Sequence, residues 1–543
     1  MEACDTGERS DAVLRTARRE HDEAVKLHRV LDMQIEPSAA AFAARYAAGE
    51  AQVVWTTLVA DLETPVSAFL KIAGGGSKSP MSFLLESVEG GEVRGRYSII
   101  GIEPDLVFRC NGQHAEINRT PRSDPQAFAP AGAPPLAALS TLIAESRMPL
   151  PDGLPPMAAG IFGYLGYDMV RQMEDALGAP PANAIGIPEA ILIRPTLVIA
   201  FDAVKDTITV VTPVRPRAGV PAKAALARAA ERLAAVVDAL DRPLDKTPPP
   251  FPLPLGPLEA TPRSNTAAEE FQRMVLRAKE YIAAGDIFQV VLSQRFEVPF
   301  SLPPFALYRA LRRVNPSPYL FFLDCGSFAV AGSSPEILVK TSGDVVTSRP
   351  VAGTRRRGAT PHEDKALEEE LLADPKERAE HLMLLDLGRN DVGRVAEIGS
   401  VHVTDQFFIE RFSQVMHIVS NVEGKLRGDC DPLGALVAGF PAGTVSGAPK
   451  VRAMQIIDEL EKERRGLYAG CVGYFSAGSD MDTCIVLRTA LIKDGVMYVQ
   501  AGAGIVADSD PALEQQECIN KAKALFRAAE EAKRFASSAG RGQ

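Results

Sequence analysis

The stretch CIVLRTALIKDGVMYVQAG, residues 484–502, sets two β-rich runs on either side of Asp494-Gly495. A short Asp-Gly turn between β-branched and aromatic residues signals an antiparallel hairpin. EILVKTSGDVVTSRP, residues 336–350, repeats the pattern around Ser342-Gly343-Asp344. Helical segments are expected over 268–284, 365–373, 375–387, 449–463 and from 511 to about 535. Strands and helices arrive in runs without strict βαβ alternation, so the predicted class is α+β on antiparallel sheet.

Working outward, PLDKTPPPFPLPLGPLEATP (residues 243–262) holds eight prolines in twenty positions. Such a composition forms extended polyproline structure and excludes helix or central strand. It reads as a linker between an N-terminal region, 36–242, and a C-terminal domain, 263–535. A charged, helix-prone extension covers 1–35, and its role stays open. A weaker break, PRSDPQAFAPAGAPP (121–135), reads as a loop inside the N-terminal half. No internal repeat is visible.

The 543 residues carry 59 Lys+Arg against 69 Asp+Glu, a net charge of −10, and 46% are hydrophobic. These are the proportions of a globular chain of several domains. The acidic balance argues against a general polyanion binder, because nucleic-acid affinity comes mainly from Lys and Arg neutralising phosphates. The long uncharged stretch 432–449 is interrupted by Gly and Pro, unlike a membrane span. The charged N-terminus lacks a signal peptide's apolar core. Neither a nucleic-acid nor a membrane partner is expected. Seven scattered cysteines with no CxxC fit buried thiols in a reducing cytoplasm.

Two helix starts share one design. Asp374-Pro375 and Asp510-Pro511 each place an N-cap acceptor before a proline at the first helical position. In the first helix Glu377, Glu380, His381 and Leu384 stand at i, i+3, i+4 and i+7, so both carboxylates leave one face. Glu514, Glu517 and Lys521 do the same in the second. One ExxE pair alone is an ordinary solvated face. Two with matching starts, each beside dense glycine motifs, offer the oxygen ligands that Mg2+ prefers, with open positions for water and a substrate anion.

The glycine loops RPVAGTRRRG (349–358), FPAGTVSGAPK (440–450) and QAGAGIVADS (500–509) let backbone amides approach an anionic ligand. None matches GxxxxGK[ST] or a strand-linked GxGxxG, so a nucleotide-binding reading loses weight. Thr354, Thr444, Arg488 and the amides of Gly502 and Gly504 could together hold a small molecule with more than one carboxylate.

In this order these strings resemble the chorismate-binding enzymes, most closely the anthranilate synthase large-subunit (component I) branch. The resemblance rests also on GDIFQVVLSQRF (285–296), NPSPY (315–319), GSSPE (332–336), DPKERAEHLMLLDLGRNDVGRV (374–395), HIVSNVEG (417–424) and YAGCVGYF (468–475). It covers most of 264–530. In the N-terminal half it is thinner: LLES (84–87), GRYS (95–98) and GYLGYD (163–168).

The resemblance implies antiparallel sheets packed as a sandwich with helices outside. It implies a Mg2+-dependent conversion of chorismate and ammonia into anthranilate and pyruvate, the first committed step toward tryptophan. Carried across, Glu380 and Glu517 would be the main Mg2+ ligands, with Glu377 and Glu514 completing the acidic cluster. Gly353, Thr354, Thr444, Tyr468, Arg488, Gly502, Ala503, Gly504 and Lys521 match substrate-holding positions. Glu336 matches the general acid that helps the ring hydroxyl leave, and His417 the histidine of pyruvate elimination. Glu86, Ser87, Pro318, Tyr319 and Leu320 resemble the L-tryptophan feedback site of the N-terminal regulatory region. Leu320 stands where the family more often has Met, a near volume-conserving exchange.

Two positions separate the branches. Relatives that add water to chorismate carry a lysine base where this chain has Gln289. Aminodeoxychorismate synthase carries a lysine nucleophile where this chain has Ala352. Neither lysine is present, which leaves ammonia as the direct nucleophile. The chain shows no glutamine amidotransferase context of its own. The resemblance therefore implies a separate glutaminase subunit (component II), commonly in a heterotetramer. The competing readings are aminodeoxychorismate synthase component I and a catalytically inactive chorismate or tryptophan sensor.

Overall fold

The computed structural model describes residues 33–89, 93–244, 261–412 and 415–536. The expected extension over 1–35 and the linker over 243–262 lie almost wholly outside the described residues.

The N-terminal half runs α1 (Ala39–Ala47), β1 (Gln52–Val59), α2 (Pro65–Ala73), β2 (Ser82–Glu89), β3 (Val93–Asn111), β4 (His114–Asn118) and β5 (Phe128–Pro130). It continues with α3 (Pro135–Ser146), β6 (Gly160–Leu165), β7 (Ala190–Asp202), β8 (Thr207–Val214) and α4 (Ala222–Asp241). The C-terminal half opens with β9 (Arg263–Ser264), α5 (Ala268–Ala284), β10 (Gln289–Pro299) and α6 (Pro304–Val314). Strands β11 (Tyr319–Asp324), β12 (Phe328–Ser334), β13 (Ile337–Ser342), β14 (Val345–Ser348) and β15 (Val351–Arg356) follow, then helices α7 (Pro361–Ala373) and α8 (Pro375–Gly393). Next come β16 (His402–Arg411), β17 (Val415–Lys425), α9 (Pro432–Gly439), β18 (Gly447–Ala448) and α10 (Lys450–Leu460). The last elements are β19 (Cys471–Ser476), β20 (Met481–Ile485), β21 (Thr489–Lys493), β22 (Val496–Ile505) and α11 (Pro511–Glu531).

Every ladder between these strands is antiparallel, and two runs diverge from β7. One continues through β3, β2, β11, β12, β21 and β22 to β10. The other continues through β6, β19, β20, β13 and β14 to β17. Each run mixes strands of both halves, joined at β2–β11 and β6–β19.

The runs form a sandwich. Phe83, Ile99, Phe321 and Val330 of one meet Phe162, Tyr164, Val472 and Cys484 of the other in a shared core. Phe83 and Phe162 stack with centroids 4.6 Å apart. Successive strand side chains point to opposite faces, so Leu84, Leu320 and Phe322 face outward. They pack beneath helices α2, α4, α6 and α11. Residues of α3, α8, α9 and α10 cover the outer face of the second run. The fold is the α+β sandwich with outer helices that the motifs implied.

The two hairpins form, with one difference. Ser342 pairs with Val345, and Lys493 with Val496 across Asp494 and Gly495, both at positive φ. Cys484 and Ile485, however, belong to β20. The chain breaks at Val486–Arg488, where Arg488 has φ +46°. Three helix boundaries also move. α7 starts at Pro361, not 365, because the Thr360 side chain caps it from Glu363 N at 3.2 Å. α8 runs to Gly393, not 387, because Gly388 and Val392 keep its buried face going. α10 stops at Leu460, where Glu461 turns out to bond Ser293 N at 2.8 Å.

Candidate active site

The caps position the acidic pairs. Asp374 accepts from the amides of Lys376 and Glu377 at 2.9 and 3.3 Å, and Asp510 from those of Ala512 and Leu513 at 2.9 and 3.0 Å. These contacts fix the first turns of α8 and α11, and Glu380 of α8 feels the charge of Glu517 on α11. Burial raises the Glu380 pKa, and the charges of Glu377 and Glu517 raise it further. Glu514 is raised by burial too, Glu517 adding to it against a hydrogen bond from Ser509. Two of the four already have cations: Arg355 lies 3.1 Å from Glu377, and Lys521 2.7 Å from Glu517. Among the described residues no three His, Cys, Asp or Glu side chains close on one metal position. The donor chemistry nevertheless suits Mg2+, because carboxylates that repel one another across two helices are relieved by a hard divalent cation.

Glu336 lies between β12 and β13 and is only 7% exposed. Burial pushes its pKa up to about 8, against the pull of Thr444, the Val351 amide and Arg488. Thr444, on the short turn Gly443–Val445, donates to it at 3.1 Å. At neutral pH this carboxyl holds its proton.

His417 on β17 is the neutral counterpart. Burial drives its pKa down to about 4, with the charges of Arg488 and Lys521 adding to the fall. Its Nδ1 lies 2.7 Å from the Gly353 carbonyl, an acceptor, so Nδ1 carries the hydrogen and Nε2 is left as a base. The Thr354 hydroxyl is 3.2 Å from the same Nδ1. The carbonyl is aimed there by an irregularity in the β15–β17 ladder at Gly353, φ +67°. A Cβ at that position would come 3.2 Å from Leu371 and 3.3 Å from Glu377.

β22 supplies the floor. A Cβ on Gly502 would meet Tyr468 Oη at 2.7 Å, and one on Gly504 would meet Gln289 Nε2 at 2.5 Å, so both glycines allow side chains to cross the strand. Lys521 donates to the Gly502 carbonyl at 2.9 Å. Arg488 makes no side-chain hydrogen bond among the described residues, and burial lowers its pKa against the pull of Glu336.

Residues 82–527 match the family of chorismate binding enzymes. The anthranilate synthase component 1 of Cereibacter sphaeroides is 57% identical over 497 residues, 91% of this chain and 98% of that protein. The Pseudomonas putida protein of the same name is 47% identical, covering 87% of this chain and 93% of its own. The chain belongs to the anthranilate synthase component 1 branch of the chorismate-binding enzymes. The crystal structure of anthranilate synthase component I from Streptococcus pneumoniae superimposes with a TM-score of 0.69 at 39% identity, over 80% of this chain and 92% of that one. A menaquinone-specific isochorismate synthase from Escherichia coli shares the fold, with a TM-score of 0.65 at 20% identity.

In this anthranilate synthase component 1 chain the residues that the motifs singled out fall into two places. Contacts and charges link Glu336 with Thr444 and Arg488, His417 with Gly353, Thr354, Arg488 and Lys521, and Lys521 with Glu517 and with Gly502 of β22, where Ala503 and Gly504 follow and Tyr468 crosses. Glu86, Ser87, Pro318, Tyr319 and Leu320 line a separate cavity of about 880 Å3. The Glu86 carboxylate turns away into a buried network, accepting from Arg312 at 2.7 and 2.9 Å and from Tyr308. The cavity touches Pro335 and Ile337, which flank Glu336 on the chain.

The motif reading took Gln289 only as the place of a missing lysine and passed over the Arg465–Glu461 pair altogether. Gln289 Nε2 lies 3.4 Å from Glu380 Oε1, on the strand beside Gly504. Arg465 and Glu461 form a buried pair at 2.6 Å. Arg465 also binds the carbonyls of Val445 and Val291, which ties the Thr444 turn to β10. The only sequence signal for that pair is an i,i+4 Glu–Arg spacing.

Proposed function

We propose that this chain converts chorismate and ammonia into anthranilate and pyruvate, using Mg2+, with ammonia delivered by a glutamine amidotransferase component II. The observation that carries the reading is the opposed protonation of two buried groups: a protonated Glu336 and a neutral His417 in one site. Hydroxide is a poor leaving group, so ammonia can add to the ring only if the departing hydroxyl takes a proton. Glu336 supplies it, and water leaves. Eliminating pyruvate then needs a base for the ring proton, and His417 Nε2 accepts it while Gly353 holds the other nitrogen. Arg488 suits the enolpyruvyl carboxylate. Glu380 and Glu517, with Glu377 and Glu514 beside them, would hold Mg2+, which neutralises and orients the ring carboxylate of chorismate when bound. The absence of lysine at Gln289 and Ala352 supports direct attack by ammonia.

L-tryptophan is assigned to the cavity lined by Ser87, Pro318 and Tyr319. Its effect would reach the site through Pro335 and Ile337, because a ligand that shifts them also shifts the Glu336 backbone between them.

The test is a Mg2+ titration of chorismate- and ammonium-dependent turnover in the native chain and in Glu517→Gln. The reading expects saturable Mg2+ activation in the native chain and a much weaker Mg2+ response in the variant. Equal Mg2+ curves would remove the acidic pairs from the mechanism.

A further inference from the structure

On the N-terminal half a cavity of about 590 Å3, lined by none of the acidic pairs, opens between α4, the end of β8 and the loop after β4. Arginines crowd it although the chain is acidic overall. Three of them are neutralised. Arg194 pairs with Asp105 at 2.7 Å, Arg119 with Glu145 at 2.7 Å and Arg122 with Glu103 at 2.7 Å. Four more, Arg215, Arg217, Arg228 and Arg232, reach the same cavity and make no carboxylate ion pair among the described residues.

The partners they do have are weak. Arg215 gives one long bond, 3.3 Å, to the Ser146 carbonyl, and its Nε is enclosed with no acceptor at all. Among the described residues Arg232 reaches only the Thr212 hydroxyl, at 3.5 Å. Both are pulled below the usual arginine range by burial first. Arg194 adds to the effect on Arg215, and Arg122 and Arg217 to that on Arg232, against the pull of Glu103, Glu145 and Asp105, which also lines the cavity. Guanidinium groups gathered this way repel one another, and Arg215 and Arg232 also lose part of their hydration, while Arg217 and Arg228 stand exposed at the cavity. Their planar forks match phosphate oxygens two at a time. The volume suits a small molecule and not a nucleic-acid duplex.

We propose that this cavity is a binding site for a small polyanion bearing at least two phosphoryl groups, gripped by Arg215, Arg217, Arg228 and Arg232. The site is separate from the chorismate reading and stands whether or not that reading holds.

The test is calorimetric titration of the full chain with inorganic pyrophosphate, then with orthophosphate, in Mg2+-free buffer at constant ionic strength. The expected result is one saturable site per chain, with pyrophosphate bound roughly tenfold tighter or better, since each lost charged hydrogen bond is worth about that factor. Arg232→Gln should weaken pyrophosphate roughly tenfold. Arg228→Gln, on the exposed face of α4, should do likewise while leaving thermal unfolding and turnover unchanged. No saturable binding, equal affinity for the two anions, or full affinity in both variants would overturn the proposal. So would pyrophosphate binding abolished by Arg488→Gln alone.

Discussion

Replacing Glu336 by Gln separates catalysis from stability. The amide keeps the side chain's shape and can still accept from Thr444, but it has no proton to give. Loss of a positioned general acid lowers turnover by about a hundredfold to ten-thousandfold. The stability effect has the opposite sign. In the folded protein the Glu336 pKa is raised from 4.5 to about 8. The folded state therefore keeps a proton that the unfolded chain has lost. Native stability falls as pH rises from about 4.5, and this loss levels off above about 8. At about 1.4 kcal/mol per unit the full window amounts to about 5 kcal/mol as an upper limit. Gln does not titrate, so Glu336→Gln should match the native chain at low pH and gain on it steadily up to about pH 8. Urea unfolding and ammonium-dependent turnover, measured on both proteins across this range, read the two effects. A stability difference that stays flat with pH, or a variant that keeps most of its turnover, would refute the reasoning.

Other expectations follow from the same contacts. His417, with its pKa lowered to about 4, should show no inflection near 6.5 in a histidine NMR titration. The stability it contributes should be lost only as pH falls from 6.5 through about 4. His417→Asn should lower turnover far more than chorismate affinity, read by comparing kcat with KM. Glu86→Ala strands the half-buried Arg312 guanidinium and should destabilise by about 3–5 kcal/mol, read as a lower Tm. Ser87→Ala, which leaves that network intact, is the cleaner probe of tryptophan inhibition. Gly353→Ala forces a side chain into φ +67° and should destabilise by about 1–2 kcal/mol while disturbing the carbonyl that orients His417.

Local chemistry was readable where a few adjacent residues decide it. Asp374-Pro375 and Asp510-Pro511 announce helix starts because the cap needs only a side-chain oxygen and two nearby amides. Asp494-Gly495 announces its turn because both residues must take positive φ. Helix ends were harder. Gly388 looks like a stop, yet it lies inside α8, where a Cβ would sit 3.3 Å from Ser348 Oγ. Pairings between distant segments left no local trace. Nothing in LLES or NPSPY dictates that Tyr319 faces Ser87, or in GYLGYD that Gly163 faces Gly473. The arginine cavity also assembles from separate stretches, and so do the carbonyls of Val445 and Val291 that Arg465 holds. The site residues themselves were legible only as a set of motifs in order, since Glu336 or His417 alone is an ordinary glutamate or histidine until burial sets its protonation.

The most direct measurement is the mass and fluorescence of the product formed by the purified chain from chorismate, Mg2+ and 15N-ammonium at alkaline pH. The account predicts fluorescent anthranilate carrying the 15N label, one pyruvate per turn, and no product from the Glu336→Gln protein beyond a small residue. Aminodeoxychorismate as the product, isochorismate formed by addition of water, or chorismate binding without turnover would each contradict it.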